Sequence, residues 1–273
     1  MPAERFFPKN KVAAAILVVA AIYLLVVLWV PILQTFAWSL TEKFMFKITW
    51  VGLENYRKLF TDDPTYLKSV QVTLSYMLMV MPVVVVLGLF VAVLVNAIKN
   101  VTVRGIFTAS YFVAYVVPLV AVAIVWRYMF EPSRIGLFNA VLSRLGLGTV
   151  RWLMGTQTAL PSLAIVSIWH FMGYVLIIYL AGLQTIPDVF YEAAQLDGAN
   201  RWHLFLHITL PLLTPSILFA IVISTLYTLM MFTEAYVMTA QLGQLPGGPL
   251  RATTSLVLLI YQTAFNFQKE GYA

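Results

Sequence analysis

Glu192-Ala193-Ala194-Gln195-Leu196-Asp197-Gly198-Ala199-Asn200-Arg201-Trp202-His203-Leu204-Phe205-Leu206-His207-Ile208-Thr209-Leu210-Pro211 is a polar, helix-forming island between two long apolar runs. Pro187 and Asp188 stand just ahead of it. Proline is tolerated in a first helical turn, and a carboxylate suits the positive end of the helix dipole. A helix is therefore predicted from about Ile186. Val189 to Leu196 sustain it, and the small Ala193 and Ala194 let another surface come close to the backbone. Gly198 interrupts the run, because without a Cβ it can turn the chain through a left-handed conformation or admit a partner's backbone. Asn200, a favourable cap, then starts a second short helix. Ile208 and Leu210 are placed to anchor the far end in apolar surroundings, and Pro211 and Pro215 mark the entry to the next apolar run.

Composition decides what surrounds this island. The chain has 273 residues, of which 61% are hydrophobic and 10% charged, whereas soluble domains carry about 25% charged residues. It is a polytopic membrane protein. The net charge of +6 is spread over short loops rather than gathered in one basic block. That distribution suits contact with lipid headgroups and excludes nucleic acid as a partner. The absence of cysteine removes disulfides, thiolate catalysis and cysteine metal sites, without fixing a compartment.

Five spans are predicted, at residues 12–33, 70–98, 105–129, 162–183 and 215–238, each near the ~20 residues that cross a hydrocarbon core. The fold class is all-α. The first run is longer than a signal-peptide core and no cleavage site follows it, so it is expected to stay in the mature protein. Residues 38–68 and 131–161 read as external polar segments. The apolar run within 253–267 is too short to cross, so a helix lying at the outer surface is predicted there. Lys and Arg counts help little with orientation. The short basic tail with Arg5, Lys9 and Lys11 is expected in the cytoplasm, and an even number of spans places 186–211 on the same side.

The order Glu-Ala-Ala, three residues, Gly, nine residues, Ile, one residue, Leu-Pro resembles the cytoplasmic signature loop of permease subunits in ATP-binding-cassette importers. The match holds at Glu192, Ala193, Ala194, Gly198, Ile208, Leu210 and Pro211. Asp197-Gly198-Ala199 resembles the carbohydrate-uptake branch, which includes maltose, multiple-sugar and glycerol-phosphate permeases. Trp50-Val51-Gly52-Leu53-Glu54-Asn55-Tyr56 and Gly136-Leu137-Phe138-Asn139 resemble that branch's external loops. The resemblance implies one transmembrane permease domain over residues 1–273, with a further span after Ala273. It implies a prokaryotic cytoplasmic (inner) membrane location and transport of a sugar or polyol. The implied partners are a second similar permease, an ATPase dimer that binds ATP and Mg, and an external solute-binding protein. The 186–211 loop would carry a coupling helix that docks in a groove of the ATPase. Glu192 and Arg201 would make polar contacts there, with Asp197 beside them. Ala193, Ala194 and Gly198 would give close approach, and Phe205 an apolar anchor.

The chain holds no phosphate-binding loop of the Gly-x-x-x-x-Gly-Lys-Ser/Thr kind, so any ATP hydrolysis must come from another chain. Nothing resembles a catalytic constellation. His203 and His207 stand one helical turn apart, a metal-ligand spacing, but no third ligand is near in sequence. Polar groups inside spans are costly and therefore candidates for function. Trp169, His170 and Tyr174 in the fourth span, with Tyr227 and Glu234 in the fifth, form the candidate substrate path. Glu234 is expected near the outer end of its span, within reach of water, and His170 has no evident partner. The alternatives are an ATP-independent secondary transporter or channel, which would be expected to show repeated halves or several intramembrane charges, and an intramembrane enzyme.

Overall fold

The computed structural model describes residues 11–44, 47–240 and 244–273. The predicted cytoplasmic tail, with Arg5 and Lys9, lies outside the described residues. Residues 11–64 with 260–273 make one unit and 65–259 another.

In the first unit, α1 (Lys11–Ser39) is apolar on every side and buries none of its residues. A helix of this kind finds its apolar environment in lipid or in another chain. It runs past the predicted limit of residue 33, since the polar turn that stops it comes only at Leu40. A hairpin of β1 (Thr41–Phe44) and β2 (Lys47–Trp50) follows, with Thr41 opposite Trp50, and then α2 (Glu54–Thr61). Asn55 explains the polar motif here. Its buried amide donates to the Ser39 carbonyl at 2.8 Å and the Thr41 carbonyl at 3.0 Å, tying α2 to the end of α1. Tyr272 donates to Asp63 at 2.8 Å, and burial followed by that carboxylate holds its hydroxyl well above the ordinary tyrosine range.

The second unit is built on α3 (Pro64–Asn96), α4 (Val101–Val116), α5 (Leu119–Met129) and α6 (Leu137–Arg144), followed by α7 (Ala159–Gln184), α8 (Asp188–Leu196) and α9 (Arg201–Leu212). Then come α10 (Thr214–Leu229) and α11 (Thr233–Thr239), and last the start of α12 (Leu256–Asn266), whose residues from 260 on belong to the first unit. The core gathers around α7, which is buried along most of its length. Small residues bring backbones together there, as membrane helices require when lipid is as apolar as leucine. A Cβ on Gly173 would fall on the Tyr111 carbonyl of α4. Helix α3 buries a stripe of Val72, Tyr76, Val80, Val84, Gly88 and Ala92, recurring every fourth residue on one face, and meets α7 where Tyr76 reaches Ser167 and a Cβ on Gly88 would fall on Val175.

Two predicted spans are not single helices. In the run 105–129, Val117 is extended (ψ 132°) ahead of Pro118, and α4 and α5 meet at 93°. Proline lacks the N–H to continue the ladder and pushes the residue before it out of helical space. The run 215–238 stops at Leu229. Met230 to Phe232 break the helix, α11 starts anew, and upstream α9 and α10 meet at 65° between two prolines. Hydropathy sees neither break, because every residue involved is apolar or small.

The segment predicted as external, 131–161, is organised by Asn139. Its amide donates to the carbonyls of Glu131 (3.1 Å) and Val150 (3.0 Å). Its oxygen accepts from the Val150 amide (2.9 Å) and the Trp152 indole (3.2 Å). One fully buried side chain thus closes a loop that has no sheet to satisfy it.

Candidate functional site

The helix, turn, helix of 186–211 forms with one shift. Helix α8 begins at Asp188, and Pro187 precedes it as the cap rather than Ile186 opening it. At its far end the Ala199 amide donates to Ala194 O (2.9 Å) and the Gly198 amide to Gln195 O (3.0 Å). This closure requires the left-handed Gly198 (φ +84°). The Asn200 oxygen then accepts from the His203 amide at 2.9 Å and starts α9. The two helices are pinned together by the hydroxyls of Tyr191 and Thr209, 3.0 Å apart. Both residues escaped the sequence reading, since neither stands at a signature position.

Of the residues proposed for the ATPase interface, Glu192, Ala193, Asp197, Gly198 and Arg201 are exposed, while Ala194 and Phe205 are half-buried. No ion pair within the described residues neutralises Glu192, Asp197 or Arg201. Phe205 stacks on Trp202 at 5.7 Å. The large apolar groups standing out are instead Val189, Trp202 and, at 90% exposure, Leu196. A Cβ at Gly198 would meet nothing within 4 Å. The imidazoles of His203 and His207 are stacked with centroids 3.9 Å apart. No third metal-ligating side chain joins them among the described residues.

The five residues of the candidate substrate path separate into three places. Trp169 turns to Trp126 of α5 (centroids 5.6 Å) and leaves the others. His170 and Tyr174 join Tyr115, whose ring lies 5.5 Å from the imidazole and 4.8 Å from the Tyr174 ring. His170 does have a partner: its Nε2 is 3.2 Å from the Val117 carbonyl, one of the backbone acceptors freed where α4 breaks. With the proton on Nε2, the buried Nδ1 is a bare acceptor without a hydrogen bond. Tyr115 and Tyr174 keep a face partly open. The result is an aromatic ledge beside a helix break, backed by an unsatisfied acceptor.

Glu234 and Tyr227 make the third group, and here the sequence reading is corrected. Glu234 is only 3% exposed, far from the watery span end expected of it. The break at Met230–Phe232 folds α11 back into the bundle, so that the carboxylate faces inward. Its Oε1 accepts from Ser167 of α7 (2.7 Å), Tyr227 of α10 (3.2 Å) and, more weakly, Tyr76 of α3 (3.4 Å). Tyr76 has a single proton, which goes to the Ser167 hydroxyl and leaves Glu234 only the long contact. Phe171 joins the two groups, stacked on Tyr227 at 4.0 Å and edge-on to Tyr115 at 5.9 Å.

Apolar helices of spanning length, two broken spans, a buried polar network and an exposed capped helical hairpin define an integral membrane permease. Residues 84–271 match the family described as binding-protein-dependent transport system inner membrane component, and the chain belongs to that family. It is 40% identical to the probable ABC transporter permease protein YesP of Bacillus subtilis, over 82% of this chain and 70% of that protein. It is 35% identical to the trehalose/maltose transport system permease protein MalF of Thermococcus litoralis, over 90% and 80%. Among solved structures, a bacterial ABC transporter involved in alginate import aligns with a TM-score of 0.78 at 25% identity. That alignment covers 94% of this chain and 85% of that one. The chain is thus an inner-membrane transport subunit with the all-α permease fold expected.

Proposed function

We propose that this chain is the permease subunit of an ATP-driven importer that brings a sugar or related polyol into the cytoplasm. The observation that carries the proposal is the 186–211 hairpin, a rigid and capped projection with exposed apolar side chains and uncompensated charges beside an open glycine turn. A separate ATPase dimer binds ATP and Mg, grips the hairpin through Glu192, Ala193 and Ala194 of α8, Asp197 and Gly198 of the turn and Arg201 and Phe205 of α9, and closes on hydrolysable nucleotide. Closure moves the hairpin and shifts the bundle from inward-open to outward-open, a population shift driven by differential binding. A second permease completes the pathway, an external binding protein delivers the cargo, and the N-terminus lies in the cytoplasm with the hairpin.

Sugar as cargo is supported by the named substrates of the trehalose/maltose relative and of the arabinooligosaccharide permease AraP of Bacillus subtilis, 31% identical over 89% of this chain. The ledge of Tyr115, His170 and Tyr174 suits such a ligand. Aromatic faces cover the apolar face of a pyranose. The test is co-purification of the tagged chain from its host. ATP hydrolysis is then measured with the external binding protein loaded with maltose, arabinotriose or diacetylchitobiose. An ATPase-bearing complex stimulated by one loaded binding protein is the expected result. A chain that purifies without an ATPase would favour the secondary transporter.

A further inference from the structure

Glu234 is a buried carboxylate whose partners are all hydroxyls. No Lys, Arg or His pairs with it among the described residues. A carboxyl group so placed is costly unless it is hydrogen-bonded, and here the hydroxyls of Ser167 and Tyr227, from two different helices, donate to one oxygen while Tyr76 of a third stands 3.4 Å away. Oε1 is therefore already engaged, and the whole residue is only 3% exposed, which makes Glu234 a poor direct acceptor for a sugar. Its contacts lead elsewhere. The Tyr227 hydroxyl is held by Glu234 at one end, while the Tyr227 ring lies flat on Phe171, tilted by only 13°. A tyrosine fastened at both its tip and its face has one orientation. Phe171 in turn meets Tyr115 and Tyr174, at 5.9 Å and 5.4 Å between centroids.

We infer that Glu234 is a positioning residue of the aromatic ledge, acting through Tyr227 and Phe171 on Tyr115 and Tyr174 without touching the cargo. This rests on the reading of the ledge as the sugar site.

The test is a double-mutant cycle on the assembled importer arrested with ATP and orthovanadate. Equilibrium binding is measured with labelled maltose, arabinotriose and diacetylchitobiose as probes. For the probe that wild type retains, Glu234→Leu is expected to weaken binding about tenfold and Tyr227→Phe about as much, the size of one lost hydrogen bond to a charged group. The double variant should bind no more weakly than the poorer single, because both changes cut the same link. Glu234→Gln, which keeps an acceptor oxygen, should stay within about threefold of wild type. Losses that multiply to about a hundredfold in the double variant would overturn the inference. So would Tyr227→Phe binding as wild type, a result that stands even if Glu234→Leu fails to assemble. Tyr115→Ala separates the two claims. If it weakens binding while Glu234→Leu and Tyr227→Phe do not, only the positioning role falls. If it changes nothing, or no probe binds wild type, the ledge reading falls and the positioning role with it.

Discussion

Gly198 offers the sharpest test of the coupling hairpin, because its two possible reasons for being glycine predict opposite orders of damage. The first reason is backbone: φ of +84° is costly for side-chain-bearing residues, by about 1–2 kcal/mol for alanine and less for asparagine, which tolerates the left-handed region. The second is room. Within this chain a Cβ at Gly198 meets nothing within 4 Å, so any steric penalty must come from a docked partner. Crowding a packed interface costs about 1–3 kcal/mol and grows with the side chain. If backbone alone matters, Gly198→Ala is the worse variant, with a loss of about thirtyfold at most. If the ATPase backbone lies against the turn, Gly198→Asn is worse than Gly198→Ala. Gly198→Asp is worse again, because it adds an anion beside Asp197 and Glu192. We expect the second order. The assay is the ratio of sugar taken up to ATP hydrolysed in proteoliposomes holding the whole importer. Gly198→Asp should insert and assemble normally yet uncouple the two. An asparagine variant with the wild-type ratio beside an impaired alanine variant would refute close approach and leave Gly198 as a turn residue only.

Three other outcomes follow from the geometry. Replacing Asn139 by Leu keeps the volume but strands the Val150 amide and the Trp152 indole, so thermal unfolding of the purified complex should report a loss of about 2–4 kcal/mol. Introducing leucine at Gly173 drives a side chain into the Tyr111 carbonyl, and the protein should fail to reach the membrane as a folded species, read by size-exclusion of a fluorescent fusion. Tyr191→Phe and Thr209→Val should each cost about 0.5–1.5 kcal/mol of hairpin stability, with the double variant no worse than one of them, as hydrogen exchange across 188–212 would measure.

The parts of this protein visible in its sequence are those governed by local rules. Apolar length announces most spans, Gly198 and Asn200 announce the turn and the second cap, and each does so because the physics acts within a few residues. The breaks at Pro118 and at Met230–Phe232 depend on what surrounds a freed carbonyl. At Pro118 that surrounding is His170, more than fifty residues away in sequence, reaching the Val117 oxygen from another helix. Hydropathy averages over such sites and returns one span where there are two helices. Proline in an apolar run was the available signal for this break, and Tyr115 would have come with it.

Glu234 shows the deeper reason why a site in a membrane protein resists reading from sequence. A carboxylate four residues from a span's expected end is indistinguishable, in one dimension, from one that reaches water. Its fate is decided by whether enough polar groups gather around it, and the hydroxyls that do, Tyr76, Ser167 and Tyr227, sit on three helices. Serine and tyrosine occur throughout apolar helices, so none of the three stands out alone. Only their meeting gives the carboxyl group a place inside the bundle. The same meeting engages one oxygen of Glu234 and, in the positioning role inferred above, puts the residue behind the ledge. A polar residue inside a span is thus a sound pointer to function, while its role is set by how many of its lone pairs the fold has already taken.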